Sequence, residues 1–334
     1  MVRVVGTDPG TSGLDLLLLV DGVVADQVRL PTEVLSRGPD PLLAVLRRWK
    51  PVDLVAGPSG YGLPLVRAEA VTERDIDAMS LVRADERGTG VGVLGFRAWV
   101  RALISLGLPV VFLPGGIHLP TIPPYRKANG IDLGTADKVA VVALGLHNHV
   151  EQTQRSISEA TFAVVEIGSA FSAVLVVERG KIVDAAAGTR GPLGLRSSGA
   201  WDGEAAYWLS PLSKADLFRG GLIDLGAEGP AALRESLIKH VAGLKAITPF
   251  DQLYVSGSAL EQSELATQAF QALSRFGTVS ALSCLPGAWV KHAAQGSALL
   301  ADGLAGGGHV RLVESLALRE ASGTVWDHLR IRRD

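Results

Sequence analysis

Short apolar runs open the chain, and turn-forming residues separate them. The runs Val2–Thr7, Leu14–Val20 and Val23–Leu30 have the length and composition of β-strands. Between the last two runs, Asp21-Gly22 is a strong signal for a two-residue β-hairpin. Helical and strand patterns alternate after these runs, so the sequence predicts an α/β fold that begins with a three-stranded meander.

The next segments continue the alternation as far as the middle of the chain. We predict helices at Pro41–Trp49, Leu94–Ser105 and Lys138–Leu146, and strands at Asp53–Ala56 and Pro109–Leu113. Residues 65–93 show no clear pattern. Residues 114–130 are punctuated by Pro and Gly, which predicts no regular element there. The polar stretch His147–Glu159 is predicted to connect two halves of the chain.

The second half repeats the pattern of the first. Strands are predicted at Thr161–Ile167, Ala173–Val177 and Lys181–Ala187, with a hairpin turn at Arg179-Gly180. One ungapped register aligns an acid, two turn residues and a hairpin glycine of the two halves: Glu166 with Asp8, Gly168 with Gly10, Ser169 with Thr11, and Gly180 with Gly22. We infer an internal duplication, with domains at residues 1–148 and 149–310 and a C-terminal extension at 311–334.

Each repeat has a glycine-rich turn that suits a bound phosphate. In GTDPGTSG the backbone N–H groups near Gly10, Thr11 and Ser12 can converge on an anion, and Gly168-Ser169 occupies the same place in the second repeat. Asp8 and Glu166 are candidates to hold Mg²⁺ through water. The Walker motif GxxxxGK[ST] is absent, and the dinucleotide-binding pattern GxGxxG does not follow the first strand. Two plain hairpins remain the alternative interpretation.

Composition narrows the possible function. A length of 334 residues favours two domains, and a net charge of −2 argues against nucleic acid as a partner. The single cysteine, Cys284, excludes a disulfide framework and favours a reducing, cytoplasmic compartment. The longest apolar stretches are too short to span a bilayer, so no membrane association is expected. A homodimer is left open.

The paired turns resemble the phosphate-1 and phosphate-2 motifs of the superfamily of acetate and sugar kinases, heat-shock chaperones and actin. This resemblance implies two duplicated ribonuclease-H-like domains, the actin-like ATPase fold, with ATP in the cleft between them. DQLYVSGSAL is similar to the adenosine motif and implies a nucleotide contact at Ser256, Gly257 and Ser258. AAQGSALLADGLAGG is similar to the small-residue helix at the interdomain hinge, with Val139–Gly145 as its partner.

A narrower resemblance covers nearly the whole chain. AGPSGYGLP, HLPTIPPYRKANGIDLGTADK and AAQGSALLADG resemble segments of a family described as predicted butyrate kinases. The chain departs from the superfamily at Glu166, where Asp is common. It also departs at Gly168-Ser169-Ala170, which replaces a Gly-Gly-Thr-like turn, and in the single glycine of its adenosine turn.

The resemblance leads to the expectation of an ATP- and Mg²⁺-dependent kinase with a small-molecule acceptor. Arg126 could clamp a carboxylate or the transferred phosphoryl group, and Asp132 or Asp137 could orient or deprotonate an acceptor. An acceptor that is already a carboxylate would need no base, whereas a sugar hydroxyl would. Further contacts to the substrate are predicted from Ser59, Tyr61 and Lys127. A helix cap at Asp132 and Thr135 is the structural alternative.

Two other functions fit the opening turn. GTDPGT also resembles the start of bacterial Holliday-junction resolvases, which are metal-dependent nucleases, but the acidic balance and the second repeat are unexpected in that class. A protein of the same fold that binds ATP as a switch, without rapid turnover, is the other alternative.

Overall fold

The computed structural model describes residues 1–10, 13–35, 37–57, 59–86 and 96–331. In this part of the chain, each of two β-sheets combines an antiparallel meander with parallel strands. The first sheet has the order β3-β2-β1-β4-β6-β5, formed by β1 Arg3–Gly10, β2 Gly13–Val20, β3 Val23–Pro31, β4 Leu54–Gly57, β5 Val66–Arg67 and β6 Val110–Phe112. The second has the order β11-β10-β7-β8-β9, formed by β7 Phe162–Ile167, β8 Ser172–Glu178, β9 Lys181–Ala186, β10 Gln252–Ser256 and β11 Thr278–Ala281.

The two meanders have the same register, which confirms the repeat inferred from the sequence. Asp8 pairs with Asp15 in the first meander, and Glu166 pairs with Ala173 at the equivalent place in the second. Each meander also has a register shift between its second and third strands, and the two shifts fall at equivalent positions, Leu18/Leu19 and Val176/Val177. Because a β-bulge is a specific local feature, its recurrence at one aligned position indicates that the two meanders are copies of the same unit.

The helices form three layers, one on the outer face of each sheet and one between the two sheets. They are α1 Thr32–Leu35, α2 Asp40–Arg48, α3 Glu73–Ser80, α4 Phe96–Ser105, α5 Pro124–Lys127, α6 Ala136–Thr153, α7 Gly203–Trp208, α8 Gly229–Ile247, α9 Ser263–Leu273, α10 His292–Leu304 and α11 Val310–Ser315. Helices α2, α3 and α4 cover the outer face of the first sheet, and α8 and α9 cover the outer face of the second. Among the described residues, no helix has the length and apolar character needed to cross a membrane.

Helices α6 and α10 fill the layer between the two sheets. Side chains alternate along β1, so that Val4 joins this central core and Val5 joins the outer one. Helix α10 packs on β1, β2 and β4 of the first sheet, whereas α6 packs on β7 and β8 of the second. Each half of the chain therefore supplies the helix that covers the inner face of the other half's sheet.

The contact between α6 and α10 depends on a missing side chain. A Cβ atom at Gly296 would collide with the backbone carbonyl of Ala140, and one at Gly6 would collide with the backbone of α10 near Ala298. Glycine is the residue that permits such a close approach of backbones. The small-residue helix and its partner were predicted from the sequence, and the structure brings them together.

One predicted connection is in fact helical. Helix α6 continues to Thr153, through much of the polar stretch that was expected to link the halves. Two of its polar residues face the interior: Asn148 Nδ2 donates to the carbonyls of Leu144 and Ser283, and His149 Nδ1 lies 3.1 Å from the Tyr254 hydroxyl. The proposed boundary between residues 148 and 149 falls inside this helix, and the division into domains stays a prediction.

The other predicted elements are found with small shifts. The predicted helix at 94–105 begins at Phe96 as α4, and residues 94 and 95 lie outside the described part of the chain. In the Pro- and Gly-rich segment the structure has a 3₁₀-helix, Gly116–His118, and a short α-helix, Pro124–Lys127, where no regular element was expected. Residues 65–86, which had no clear pattern, include α3, whose capping box joins Thr72 and Asp75.

Candidate functional site

A cavity of about 1110 Å³ lies between the two halves, where β1, β7 and β10 end. Both repeats line it. The predicted site residues on its wall are Asp8, Gly10, Tyr61, Asp132, Asp137, Glu166, Gly168, Ser169, Ser256, Gly257 and Ser258. Thr11 and Ser12 lie outside the described residues. The structure thus gathers residues that are far apart in the sequence into one cleft, at the strand ends where α/β proteins place their ligands.

Acids from the two repeats meet around one lysine. Lys138 Nζ, in the first turn of α6, lies 2.6 Å from Asp137 Oδ2 and 3.2 Å from Glu166 Oε2. Asp8, at the aligned position on β1, is also buried, and its Oδ2 lies 3.7 Å from Lys291 Nζ. Three carboxylates and two ammonium groups therefore share this part of the cleft.

Burial sets the charge state of these acids. It raises the pKa of Asp8 and of Glu166, and the nearby lysines Lys291 and Lys138 only partly offset it. For Asp137 burial also works against the charged form, but the Lys138 ammonium and the Thr135 hydroxyl hold its pKa below the ordinary value. Asp137 is therefore the firmly ionised partner of Lys138, while Asp8 and Glu166 lack full compensation by positive charge.

The residues around Asp8 and Glu166 fit a magnesium ion that keeps its water shell. In the described part of the chain, no group of three or more His, Cys, Asp or Glu residues is arranged to ligate a metal directly. Mg²⁺ in nucleotide sites is commonly held by one or two carboxylates, several waters and the phosphates of the substrate. Two buried carboxylates with raised pKa values supply such oxygen donors, and a divalent cation would stabilise their charged forms.

The predicted nucleotide turn lies beside Glu166 on the wall of the cavity, because Ser256 of β10 pairs with Glu166 of β7. Strand β10 ends at Ser256, and the turn Gly257-Ser258 leads toward α9. Ser256 Oγ lies 2.8 Å from Nδ1 of His292 at the start of α10, and burial lowers the pKa of His292 to about 4, so that the imidazole is neutral. The strand, the small-residue turn and the following helix have the order predicted for the adenosine motif.

A third region of the cavity contains Tyr61, Asp132 and Lys214. Lys214 Nζ lies 3.3 Å from the Tyr61 hydroxyl and 4.4 Å from the centroid of its ring. Burial lowers the pKa of Lys214 to about 8 and raises the pKa of Asp132 to about 6. Burial also raises the pKa of Tyr61, whose hydroxyl stays protonated. This region combines hydrogen-bond donors with a carboxyl group that titrates close to neutrality.

Three predicted substrate residues lie outside the lining of the cavity. The Ser59 hydroxyl is fully buried and donates to the carbonyl of Leu113. Arg126 Nη1 donates to the carbonyl of Val183 at 2.7 Å, and Lys127 Nζ donates to that of Leu119 at 2.7 Å. Their positions do not support the predicted contacts with substrate, because these polar groups satisfy backbone carbonyls inside the fold.

Three lysines at the site were missed as site residues. No role at the site was predicted for Lys138 from the sequence, yet its side chain lies between Asp137 and Glu166. Lys214 comes from a segment in which no motif was identified, and Lys291 lies two residues before the small-residue helix motif without being part of it. The available signal for Lys138 was its place beside Asp137 in the first turn of a helix, where a solvated lysine gains little from the helix dipole.

The fold is shared with solved structures of short-chain acid kinases. A propionate kinase from Francisella tularensis has a TM-score of 0.59 and 14% identity, covering 89% of this chain and 98% of its own. Acetate kinase from Entamoeba histolytica has a TM-score of 0.57 and 12% identity, covering 82% and 86%. Acetate kinase from Porphyromonas gingivalis has a TM-score of 0.54 and 14% identity, covering 83% and 88%.

At these identities the likeness establishes the fold. The chain has the two-domain, actin-like ATPase fold that the sequence predicted, with two duplicated ribonuclease-H-like sheets. A search of curated proteins found no match. A family model described as "Protein of unknown function (DUF1464)" matches residues 6–331, and the chain therefore belongs to that family.

Proposed function

We propose that the protein is an ATP- and Mg²⁺-dependent phosphotransferase that acts on a small acceptor. The observation that carries this proposal is that the equivalent strand ends of the two repeats bring Asp8 and Glu166 to the lining of one cleft, where Lys138 of the first half pairs with Glu166 of the second. A polyphosphate held between the repeats would contact both glycine-rich turns, at Gly10 and at Gly168-Ser169. The fold shared with acetate and propionate kinases supports the same reaction class.

The cofactor positions follow from the chemistry of the donors. Asp8 and Glu166 would hold Mg²⁺ through water, and the turn Ser256-Gly257-Ser258 would contact the nucleoside. When bound, the metal ion neutralises charge on the phosphates of the nucleotide. Lys138 pairs with Glu166 and Lys291 with Asp8, and these two cations would stabilise the charge of the transferred group.

The acceptor is a short-chain carboxylate such as butyrate or acetate, or a hydroxylated metabolite. A carboxylate attacks phosphorus without losing a proton, whereas a hydroxyl needs a base. Asp137 is a poor base because it is held ionised by Lys138 and Thr135. Asp132, with its pKa raised to about 6, is the carboxyl group that would act as the base for a hydroxyl acceptor.

A thermal-shift series tests the proposal. The protein is heated with ATP or ADP, each with and without Mg²⁺, and ATP turnover is then measured with short-chain acids and polyols. We expect stabilisation by nucleotide that increases with Mg²⁺, because a ligand that binds only the folded state stabilises it. Stabilisation without turnover on any acceptor would assign the protein to the ATP-binding switches. No stabilisation at millimolar nucleotide would contradict the proposal.

A further inference from the structure

Lys214 is a buried cation that faces the cavity. Lys214 as a whole is 9% exposed, and its ammonium group contacts the hydroxyl and the ring of Tyr61. Burial lowers its pKa, and the charges of Asp132 and Glu86 only partly oppose this through space, since neither makes an ion pair with it in the described part of the chain. Most buried lysines are paired, so an ammonium that lines a cavity without an acid in contact indicates a place for an anion.

Apolar side chains form part of the lining of the cavity that this ammonium faces. Met79 and Phe96 come from the first half of the chain, and Phe171 and Phe218 from the second, with the two second-half rings 5.0 Å apart. An apolar wall favours an acceptor with a short hydrocarbon body. Lys214 and the Tyr61 hydroxyl together offer few donors, which suits the two oxygens of a carboxylate better than the larger charge of a phosphate.

Lys214 reaches the cavity on a segment that bridges the halves. Its backbone N–H donates to Glu86 Oε1 at 2.7 Å, and the carbonyl of Leu212 accepts from Arg83 Nη1 at 2.9 Å. The segment belongs to the second half of the chain, whereas Arg83, Glu86 and Tyr61 belong to the first. The position of the ammonium therefore depends on both halves being in contact.

We propose that Lys214 and Tyr61 form the subsite that receives the carboxylate of the acceptor, which is a monoanionic acid with a short apolar body. This inference rests on the proposed phosphotransferase function and selects one of its two acceptor classes. The ammonium and the phenol hydroxyl donate to the carboxylate oxygens. Asp132 lies close enough to act on both Lys214 and Lys138, which places this subsite beside the proposed phosphate region.

The groups that face Lys214 determine how anion binding depends on pH. They are Asp132, Glu86 and the phenol of Tyr61. Lys214 is cationic below its pKa of about 8, and Asp132 becomes anionic above about 6. The affinity for a carboxylate should therefore be highest near pH 6 and fall as the pH rises, first because Asp132 gains a repelling charge and then because Lys214 loses its own.

Calorimetric titration of butyrate into the protein saturated with MgADP tests the subsite, with butyramide as the neutral isostere. We expect butyrate to bind and butyramide to bind at least tenfold more weakly. Lys214→Met should weaken the binding of butyrate at least tenfold, whereas Lys214→Arg should retain most of the affinity. The affinity of Tyr61→Phe should lie between those of the two lysine variants. Lys239→Met removes a cation whose side chain is 77% exposed and should change nothing.

The outcomes separate this inference from the function on which it rests. Failure of the wild-type protein to bind MgADP would overturn the phosphotransferase proposal. Normal MgADP binding with equal affinity for butyrate and butyramide, or with butyrate unaffected by Lys214→Met, would overturn the carboxylate subsite alone. Inorganic phosphate whose affinity depends on Lys214 more strongly than that of butyrate would assign the subsite to phosphate. MgADP affinity also verifies that each variant is folded.

Discussion

Lys138 Nζ lies 3.2 Å from Glu166 Oε2, and this ion pair joins a helix of the central layer to the first strand of the second sheet. The same ammonium lies 2.6 Å from Asp137 Oδ2. Removing it leaves two buried carboxylates without their cation. We expect Lys138→Met to lower the free energy of unfolding by about 3–5 kcal/mol at pH 7, measured by urea denaturation.

The loss in Lys138→Met should depend on pH. Protonation of Asp137 and Glu166 removes their uncompensated negative charge. The difference in the free energy of unfolding between the variant and the wild-type protein should therefore shrink as the pH falls. The control is Lys239→Met, on the exposed surface of α8, where the expected change is within about 0.5 kcal/mol. Equal stability of Lys138→Met and wild type at pH 7 would show that the lysine does not compensate these acids.

Asp8→Asn should remove the response to magnesium without unfolding the protein. Burial already raises the pKa of Asp8, so a neutral amide of similar shape lowers the cost of burying this group, although the ion pair with Lys291 is lost. We expect stabilisation by ADP alone to persist and the additional stabilisation by Mg²⁺ to be strongly reduced. A magnesium titration followed by thermal shift measures both quantities.

The matched control for Asp8→Asn is an exposed acid. The Asp251 side chain is 98% exposed and lies 3.0 Å from Lys245, and it is not among the residues that line the cavity. Asp251→Asn should leave the response to Mg²⁺ unchanged. If Asp8→Asn also responds fully to Mg²⁺, the metal assignment is wrong.

Asp132 should make stability decrease with rising pH. Its pKa rises from 3.8 to about 6 in the folded protein because the carboxyl group is buried. The folded state therefore binds this proton more tightly than the unfolded state does, and the resulting stability is complete below about pH 4 and lost as the pH rises through about 6. Asp132→Asn should match the wild-type protein at pH 4 and be more stable at pH 7, by at most roughly 3 kcal/mol.

Asp137 is the internal control for this measurement, because its pKa is held below the ordinary value by Lys138 and Thr135. Asp137→Asn should therefore destabilise the protein at pH 7, and its penalty should decrease at low pH. Urea denaturation at several pH values compares the two variants. If both variants were more stable than the wild-type protein at pH 7, or both less stable, the assigned charge states would be wrong.

Gly296→Ala should weaken the crossing of α6 and α10. The new methyl group would collide with the carbonyl of Ala140, and the backbones would have to separate. We expect a loss of about 1–3 kcal/mol or more in the free energy of unfolding, as for other overpacked interiors. Chemical denaturation measures it, and weaker nucleotide binding should accompany it because the cleft lies between the same two halves.

Gly243 provides the matched control within another helix. It lies in α8, and a Cβ atom there would have no neighbour within 4 Å. Gly243→Ala should therefore stabilise the protein by roughly 0.5–1 kcal/mol through the helix propensity of alanine. A loss of stability in Gly243→Ala similar to that in Gly296→Ala would show that close packing is not the cause.

Local patterns predicted the repeated meanders and the turns that follow them. Strand alternation and the hairpin at Asp21-Gly22 are short-range signals, and the structure has positive φ at both residues, 49° and 77°. The alignment of Asp8 with Glu166 added long-range information, because equivalent strand ends of a duplicated fold can face each other. Predicting these features required only the identities of neighbouring residues, or one comparison of the first half of the chain with the second.

The side chains of the site were harder to predict because their partners are distant in sequence. Lys214 meets Tyr61, and Lys291 meets Asp8, only after the two halves have packed together. Arg126 and Lys127 follow a pattern that suits a ligand, but their partners belong to the fold: each donates to a carbonyl group, and Arg126 also pairs with the Asp184 carboxylate. Similarly, His147–Glu159 is polar yet largely helical, since Asn148 and His149 find interior partners that no local pattern reveals.

The exchange of helices between the repeats has a consequence for how the chain folds. Helix α10, made late in the chain, covers the inner face of the first sheet, and α6, made early, covers that of the second. A ribosome that has completed the first repeat has therefore produced a sheet whose apolar inner face still lacks its cover. The first repeat cannot finish folding until almost the whole chain is synthesised, and unfolding of either half must expose the interior of the other.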